Sequence, residues 1–306
     1  LMGNAFTPRP GMMISLDFTQ QYILKLGIIF LGIRLSFEEF LKFGSIAIPL
    51  IIVCIVGVLI LIKLLIKKVP ISSKMSYLIA IGTSVCGATA IVATAPVINA
   101  KKTEVAYAIA NITLFGVIAM LVYPYFAEWY FNENNLKAGL FLGTSIHETS
   151  QVAAAGLIYD QQFNSPETLN VATVTKLIRN TFLVVMIPLF AFLYNRGEIK
   201  NEKYSIISIF PYFVLGFIGM IILRNLGDQF FSIEKNNHLI WIDLIEYLKI
   251  LATTFLTMAM AAVGISINLS ELKSMGYKPF IVGLIAAVTV GFISLIYIES
   301  ISKFFI

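Results

Sequence analysis

Residues 143–151 read Gly-Thr-Ser-Ile-His-Glu-Thr-Ser-Gln, and they crowd hydroxyls, an imidazole, a carboxylate and an amide between largely apolar flanks. The only other histidine, His238, falls in a polar stretch that reads as a loop. The segment 167–194 adds Thr173, Lys176, Arg179 and Asn180. At about 100° per helical residue, these four fall within roughly a third of the circumference. A cation at the centre of a bilayer costs about 2.5–3.5 kcal/mol on insertion scales, so such groups face a cavity or a partner. Two chemistries suit the set. In one, Lys176 and Arg179 neutralise an anionic ligand, the arginine by a bidentate fork. Ser84, Thr89, Ser145, Gln151 and Asn180 then offer hydrogen bonds. His147, whose type of side chain titrates near neutrality, carries a coupling proton with Glu148, or Glu148 balances the cations when the site is empty. In the other, Lys176 snorkels and Arg179 pairs with Glu148 as a structural bridge. Hydrolysis by Ser84 or Ser145 with His147 and Glu148 is disfavoured. Adjacent His and Glu on one backbone are badly placed for a nucleophile–base–orienter relay.

The elements that must position these groups are membrane helices. Of 306 residues, 58% are hydrophobic and 13% charged, with a mean hydropathy of +0.87. That is about half the charge of a soluble domain. Apolar blocks recur at 20–36, 44–66, 75–98, 104–127, 137–158, 167–194, 205–225, 244–268 and 278–299. Each is long enough to cross roughly 30 Å of hydrocarbon. The blocks do not alternate apolar with polar, which excludes a β-barrel pattern. The expectation is an all-α polytopic membrane protein of about 9–11 helices, with 1–306 forming one transmembrane domain. The opening Leu-Met-Gly-Asn-Ala-Phe reads as the tail of a helix, so one or two helices are expected upstream. Cys54 and Cys86 suggest no disulfide framework, and the net charge of +5 is no sign of nucleic-acid binding. Nothing resembles a Walker motif, which speaks against ATP drive within the chain.

If every block crosses, and the Lys-rich 63–74 stretch is cytoplasmic, eleven loop cations fall on that side and seven on the other. Lys101 and Lys102 are the main exception. Residues 32–44 align without gaps to 264–276, matching Gly32 with Gly264 and Glu39 with Glu271. An odd number of blocks between them makes this an inverted repeat, an arrangement that places a substrate site near the midplane. A second likeness joins 82–95 to 143–156. With every block crossing, these copies run parallel and read as convergence on one kind of turn.

Gly82, Gly87 and Pro96 in one block, and Gly139 and Gly143 in another, make both candidates for broken helices near the midplane. Gly costs about 1 kcal/mol and Pro about 3 against Ala in a helix interior. A break puts a half-helix N-terminus in the membrane, where its free N–H groups favour an anion. The competing account is close packing by small residues.

The runs 80–124, 143–156 and 172–180, with 27–36 and 257–276, resemble the family of bacterial inner-membrane proteins that carries the name of sulfate exporters. The resemblance covers nearly the whole chain. It implies about eleven helices, likeness to the bile-acid symporters and cation–proton antiporters, and a polar motif of Ser84, Cys86, Thr89, His147, Glu148, Gln151, Lys176 and Arg179. Joined with Gly87, Ser145 and Asn180, these are the candidate substrate-binding residues, with His147 and Glu148 for coupling. The expected function is secondary active transport of a small anion, of the sulfate or organic sulfonate class, by alternating access with proton or sodium coupling. A coupled carboxylate carrier, an anion channel and an intramembrane enzyme are the rivals. The expected setting is the bacterial inner membrane. The anion and the lipid are the partners, a homodimer is compatible, and no cofactor, metal or catalytic residue is expected.

Overall fold

The computed structural model describes residues 10–34, 36–132, 134–195, 213–231, 235–266 and 276–305. All regular structure among them is helical. In order these are α1 (Pro10–Phe18), a π-helical turn (Thr19–Ile23), α2 (Leu24–Leu31), a 3-10 turn (Gly32–Arg34), α3 (Phe37–Ile66), α4 (Ser73–Ser84) and α5 (Ala88–Thr94). There follow α6 (Lys102–Phe131), α7 (Asn135–Ser145), α8 (Thr149–Phe163), α9 (Pro166–Thr181), α10 (Leu183–Asn195), α11 (Phe213–Phe231), α12 (Lys235–Ser266) and α13 (Lys278–Phe305). In lipid a backbone must satisfy its own polar groups, and apolar helices do so within one segment. Four described stretches are long and apolar enough to span by themselves: Phe43–Ile66, Lys102–Phe131, Glu167–Phe190 and Lys278–Ser300. The second copy of the repeat proposed at 264–276 lies mostly outside the described residues.

Both candidate blocks are interrupted, but neither crosses. Lys74 Nζ at the start of α4 donates to Asn99 O beyond α5 at 2.5 Å. Residues that far apart on a continuous span would be separated by about 37 Å. Midway, a Cβ on Gly82 of α4 would lie 2.7 Å from Ile91 of α5. The arms therefore run side by side, and 73–99 is a re-entrant hairpin with its tip at 85–87. The segment 135–163 repeats the design from the other end. Thr168 Oγ1, just beyond α8, donates to Asn135 O at the start of α7 at 3.2 Å. Between the two hairpins runs α6, about 45 Å long at 30 residues. It starts at the mouth of the first, where Ser72 donates to Glu104, and ends at the mouth of the second, where Asn134 N donates to Phe131 O.

Two expectations change with that geometry. The likeness of 82–95 to 143–156 relates elements entering from opposite ends, so it is inverted rather than parallel. Because a hairpin returns to its own side, Lys101 and Lys102 share a membrane face with Lys63, Lys67, Lys68 and Lys74. The exception in the charge pattern disappears.

Most glycines counted as helix breakers serve packing instead. On Gly139 a Cβ would approach Val171 at 2.6 Å, and on Gly143 it would meet Ala172 O and Thr175 Cβ at 2.7 Å. These two, one turn apart, let α7 lie against α9. Gly143→Val is expected to destabilise the protein by about 1–3 kcal/mol through overpacking, read as a lower thermal midpoint in detergent.

The helices sort into two packing groups. Around the hairpins stand α3, α6, α9, α10 and α13, while α1, α2, α11 and α12 pack mainly on one another, with α2 also touching α5. In the second group Trp241 stacks on Phe231 and donates to Asp228.

Candidate functional site

Tip to tip, the hairpins meet in the same sequence register. Helix α4 ends at Ser84 and α5 begins at Ala88, while α7 ends at Ser145 and α8 begins at Thr149. A constant offset of 61 residues therefore superposes Thr83 on Thr144, Ser84 on Ser145, Val85 on Ile146, Cys86 on His147 and Gly87 on Glu148. With α4 12 and α7 11 residues long, each tip lies about 16–18 Å from its mouth, or about half a hydrocarbon core.

A helix C-terminus leaves carbonyls without partners and carries about half a negative charge. Here α9 supplies the donors. Arg179 Nε donates to Ser84 O at 2.9 Å and Nη1 to Thr144 O at 2.6 Å, with a longer bond to Ile146 O at 3.4 Å. Its Nη2 donates to Thr83 O. Lys176 Nζ donates to Val85 O and Ile146 O, each at 3.0 Å, and to His147 O. Equivalent carbonyls of both tips thus share one arginine and one lysine. Both side chains are fully buried, so Lys176 does not snorkel, and Arg179 bonds carbonyls rather than Glu148. All three ammonium donors are engaged.

The N-terminal ends receive the opposite charge. Glu148 caps α8, its carboxylate accepting from the backbone of Gln151 while its own N–H donates to Gln151 Oε1. The same carboxylate accepts from Ala88 N, the first residue of α5. One anion therefore serves both outgoing arms. Room for it comes from Gly87, whose φ of +63° suits glycine and whose missing Cβ would collide with the Glu148 carboxylate. Gln151 Nε2 extends the cap to Thr113 O on α6 at 3.2 Å.

The remaining candidates gather at the same place. Ser84 is fully buried, and its hydroxyl has no partner in the protein. Cys86 is a buried free thiol at the first tip, and Thr89 is buried in the first turn of α5. Ser145 donates back to Phe141 O, so its hydroxyl is occupied. His147 is 1% exposed, yet neither ring nitrogen has a protein partner. Asn180 Nδ2 donates to Thr149 Oγ1 at 3.1 Å, leaving Oδ1 without a donor.

Other polar groups at the tips carried no comparable sequence signal. Thr83 and Thr175 are fully buried with unpartnered hydroxyls, and Thr144 shares a 2.7 Å hydrogen bond with Ser294 of α13. A threonine in an apolar helix can satisfy itself by bonding back to its own turn. Its type alone therefore did not distinguish Thr83 or Thr175 from ordinary helix residues. Among the described residues no cluster of three or more His, Cys, Asp or Glu could hold a metal ion.

Residues 1–283 match the family model described as conserved hypothetical protein 698. A UPF0324 membrane protein of Fusobacterium nucleatum is 34% identical over 286 residues, covering 92% of this chain and 82% of the relative. One from Streptococcus agalactiae serotype V is 34% identical over 284 residues, with the same coverage. The UPF0324 inner membrane protein YeiH of Escherichia coli K12 is 33% identical over 275 residues, covering 88% and 73%. No solved structure matches the chain. Polytopic, all-helical in its described residues and related along most of its length to these proteins, the chain belongs to the UPF0324 membrane protein family.

Proposed function

We propose that the protein is a secondary active transporter of a small anion, of the sulfate or organic sulfonate class, in the bacterial inner membrane. The observation that carries this reading is the meeting of two opposed re-entrant tips around buried ionic side chains. Irregular backbone at membrane depth is tolerated only where it is buried in protein or lines a water-filled cavity, and ionisable groups there mark substrate or ion paths. The sign of the ligand follows from the cations, which outnumber the carboxylate at the tips. Lys176 and Arg179 act through their field while their donors hold the tip carbonyls. Thr83, Ser84, Thr175 and His147 offer the hydrogen bonds. Glu148 and His147 are the groups for a coupling proton. The inner membrane location is that of the Escherichia coli relative.

A catalytic role is disfavoured by the same contacts. His147 has no orienting partner, the Ser145 hydroxyl is turned back on its own helix, and Glu148 is spent on backbone N–H groups. Such groups do not form the hydrogen-bonded relay that activates a serine.

Counterflow in proteoliposomes tests the reading. Vesicles loaded with unlabelled sulfate, methanesulfonate or acetate should take up the matching labelled anion saturably, and His147→Ala should reduce the rate about tenfold or more. Favouring acetate over both sulfur oxyanions would move the assignment to carboxylates. Absence of saturable flux of any anion by folded protein would defeat it.

A further inference from the structure

The transport reading fixes the sign of the ligand, and the charges at the tips bear on its magnitude. Lys176 and Arg179 contribute two positive charges, each fully buried. Glu148 contributes one negative charge and touches the tip of the opposite hairpin. With histidine neutral, one positive charge is left over among the described residues at the tips. The helix ends do not change the sum. Two C-terminal ends carry about half a negative charge each, two N-terminal ends about half a positive charge each, and the four cancel.

Among the described residues, the other ionic groups of α6, α7, α8 and α9 lie away from the tips. Glu104 sits at the mouth of the first hairpin, bonded to Ser72 and Lys101 N. Glu128 accepts from Tyr159 near the mouth of the second. Lys137 pairs with Glu299 at 3.3 Å. Glu104, Glu128 and Lys137 each lie about 12 Å or more from the tips along their helices.

A single uncompensated charge inside a low-dielectric bundle is costly, and a ligand that removes it is favoured over one that reverses it. Beside that charge stand the polar atoms without protein partners: Thr83 Oγ1, Ser84 Oγ, Thr175 Oγ1 and both His147 ring nitrogens. Buried polar groups are normally paired. These four side chains, from the two tips and α9, are buried without protein partners, a lack that an acceptor bound among them would answer. The hydroxyls donate to oxyanion oxygens, and the imidazole supplies one N–H more.

We infer that the ligand seated between the hairpin tips is a monovalent oxyanion, and that Glu148 sets this valence. A dianion would leave the seat with one negative charge, so it binds only together with a proton or another cation. The inference rests on the anion-carrier reading and narrows it. Free sulfate is then the weaker ligand, and a singly charged sulfonate the stronger.

Equilibrium binding to purified full-length chain in lipid nanodiscs tests the valence. The probes are methanesulfonate and perchlorate, each singly charged, against sulfate, with ionic strength held by gluconate at pH 7.5. The parent protein should bind both monovalent probes about tenfold or more tighter than sulfate, a difference easily resolved in a Kd. Glu148→Gln raises the surplus to two charges and should reverse the order. Sulfate binding as tightly as the monovalent probes in the parent overturns the inference while leaving anion binding intact, and so does an unchanged order in Glu148→Gln. If no anion binds the parent, the carrier reading falls and the valence with it. Should Glu148→Gln fail to fold, the order of the three probes on the parent alone decides.

Discussion

Arg179→Ala is expected to remove most of the folded protein. The guanidinium holds Thr83 O, Ser84 O and Thr144 O, carbonyls from two chain segments about sixty residues apart. Hydrogen bonds from a charged donor contribute about 1.5–3 kcal/mol each. A carbonyl left unpaired at membrane depth has no water to turn to. Each buried carbonyl left without its donor costs about 1–3 kcal/mol, against a total stability of about 5–15 kcal/mol for a typical protein. The expected readout is a sharp fall in monodisperse protein after extraction and a much lower thermal midpoint. Arg179→Lys should recover only part of the loss, because an ammonium has three donors and no planar fork. A midpoint within the error of the parent for Arg179→Ala would contradict the role of this residue as a clamp on the two tips.

Gly87→Ala should be nearly as damaging to function and less so to folding. Gly87 adopts φ +63° and ψ −129°, a region that costs a residue with a Cβ about 1–3 kcal/mol. The new methyl group would also take the space of the Glu148 carboxylate, displacing it from Ala88 N. Both outgoing arms then lose their shared anion, and uptake should fall to background while much of the protein still folds. Pairing the change with Glu148→Ala separates the causes. If eviction of the carboxylate matters, the double variant is less destabilised than the sum of the two single ones. Strict additivity would leave backbone strain as the whole effect.

The same pair of positions shows how the hairpins are related. Gly87 and Glu148 occupy equivalent places in the two turns, and one provides the room that the other fills. The inverted relation visible in the fold is broken at the site by this exchange of a hydrogen for a carboxylate. It is also broken at Cys86 and His147, where a small buried thiol stands opposite an unpartnered imidazole. These differences give the site an asymmetric set of charges and donors.

Much of the site was legible in the sequence, and the reason is physical. Hydropathy is a sum over neighbouring residues, so long apolar blocks declared the membrane without tertiary information. A polar run inside such a block, Gly143–Gln151, is too costly in lipid to be incidental, and Lys176 and Arg179 are too costly ten and thirteen residues into α9. The identical Gly-Thr-Ser of 82–84 and 143–145 marked both turns. Tertiary structure decided where the second arm of each block goes, because that direction depends on contacts such as Lys74 with Asn99 and Thr168 with Asn135. No local propensity distinguishes an arm that continues from one that returns. It also decided what the two cations touch. Their partners are backbone carbonyls, which every residue carries alike, so no residue type in the chain announces them.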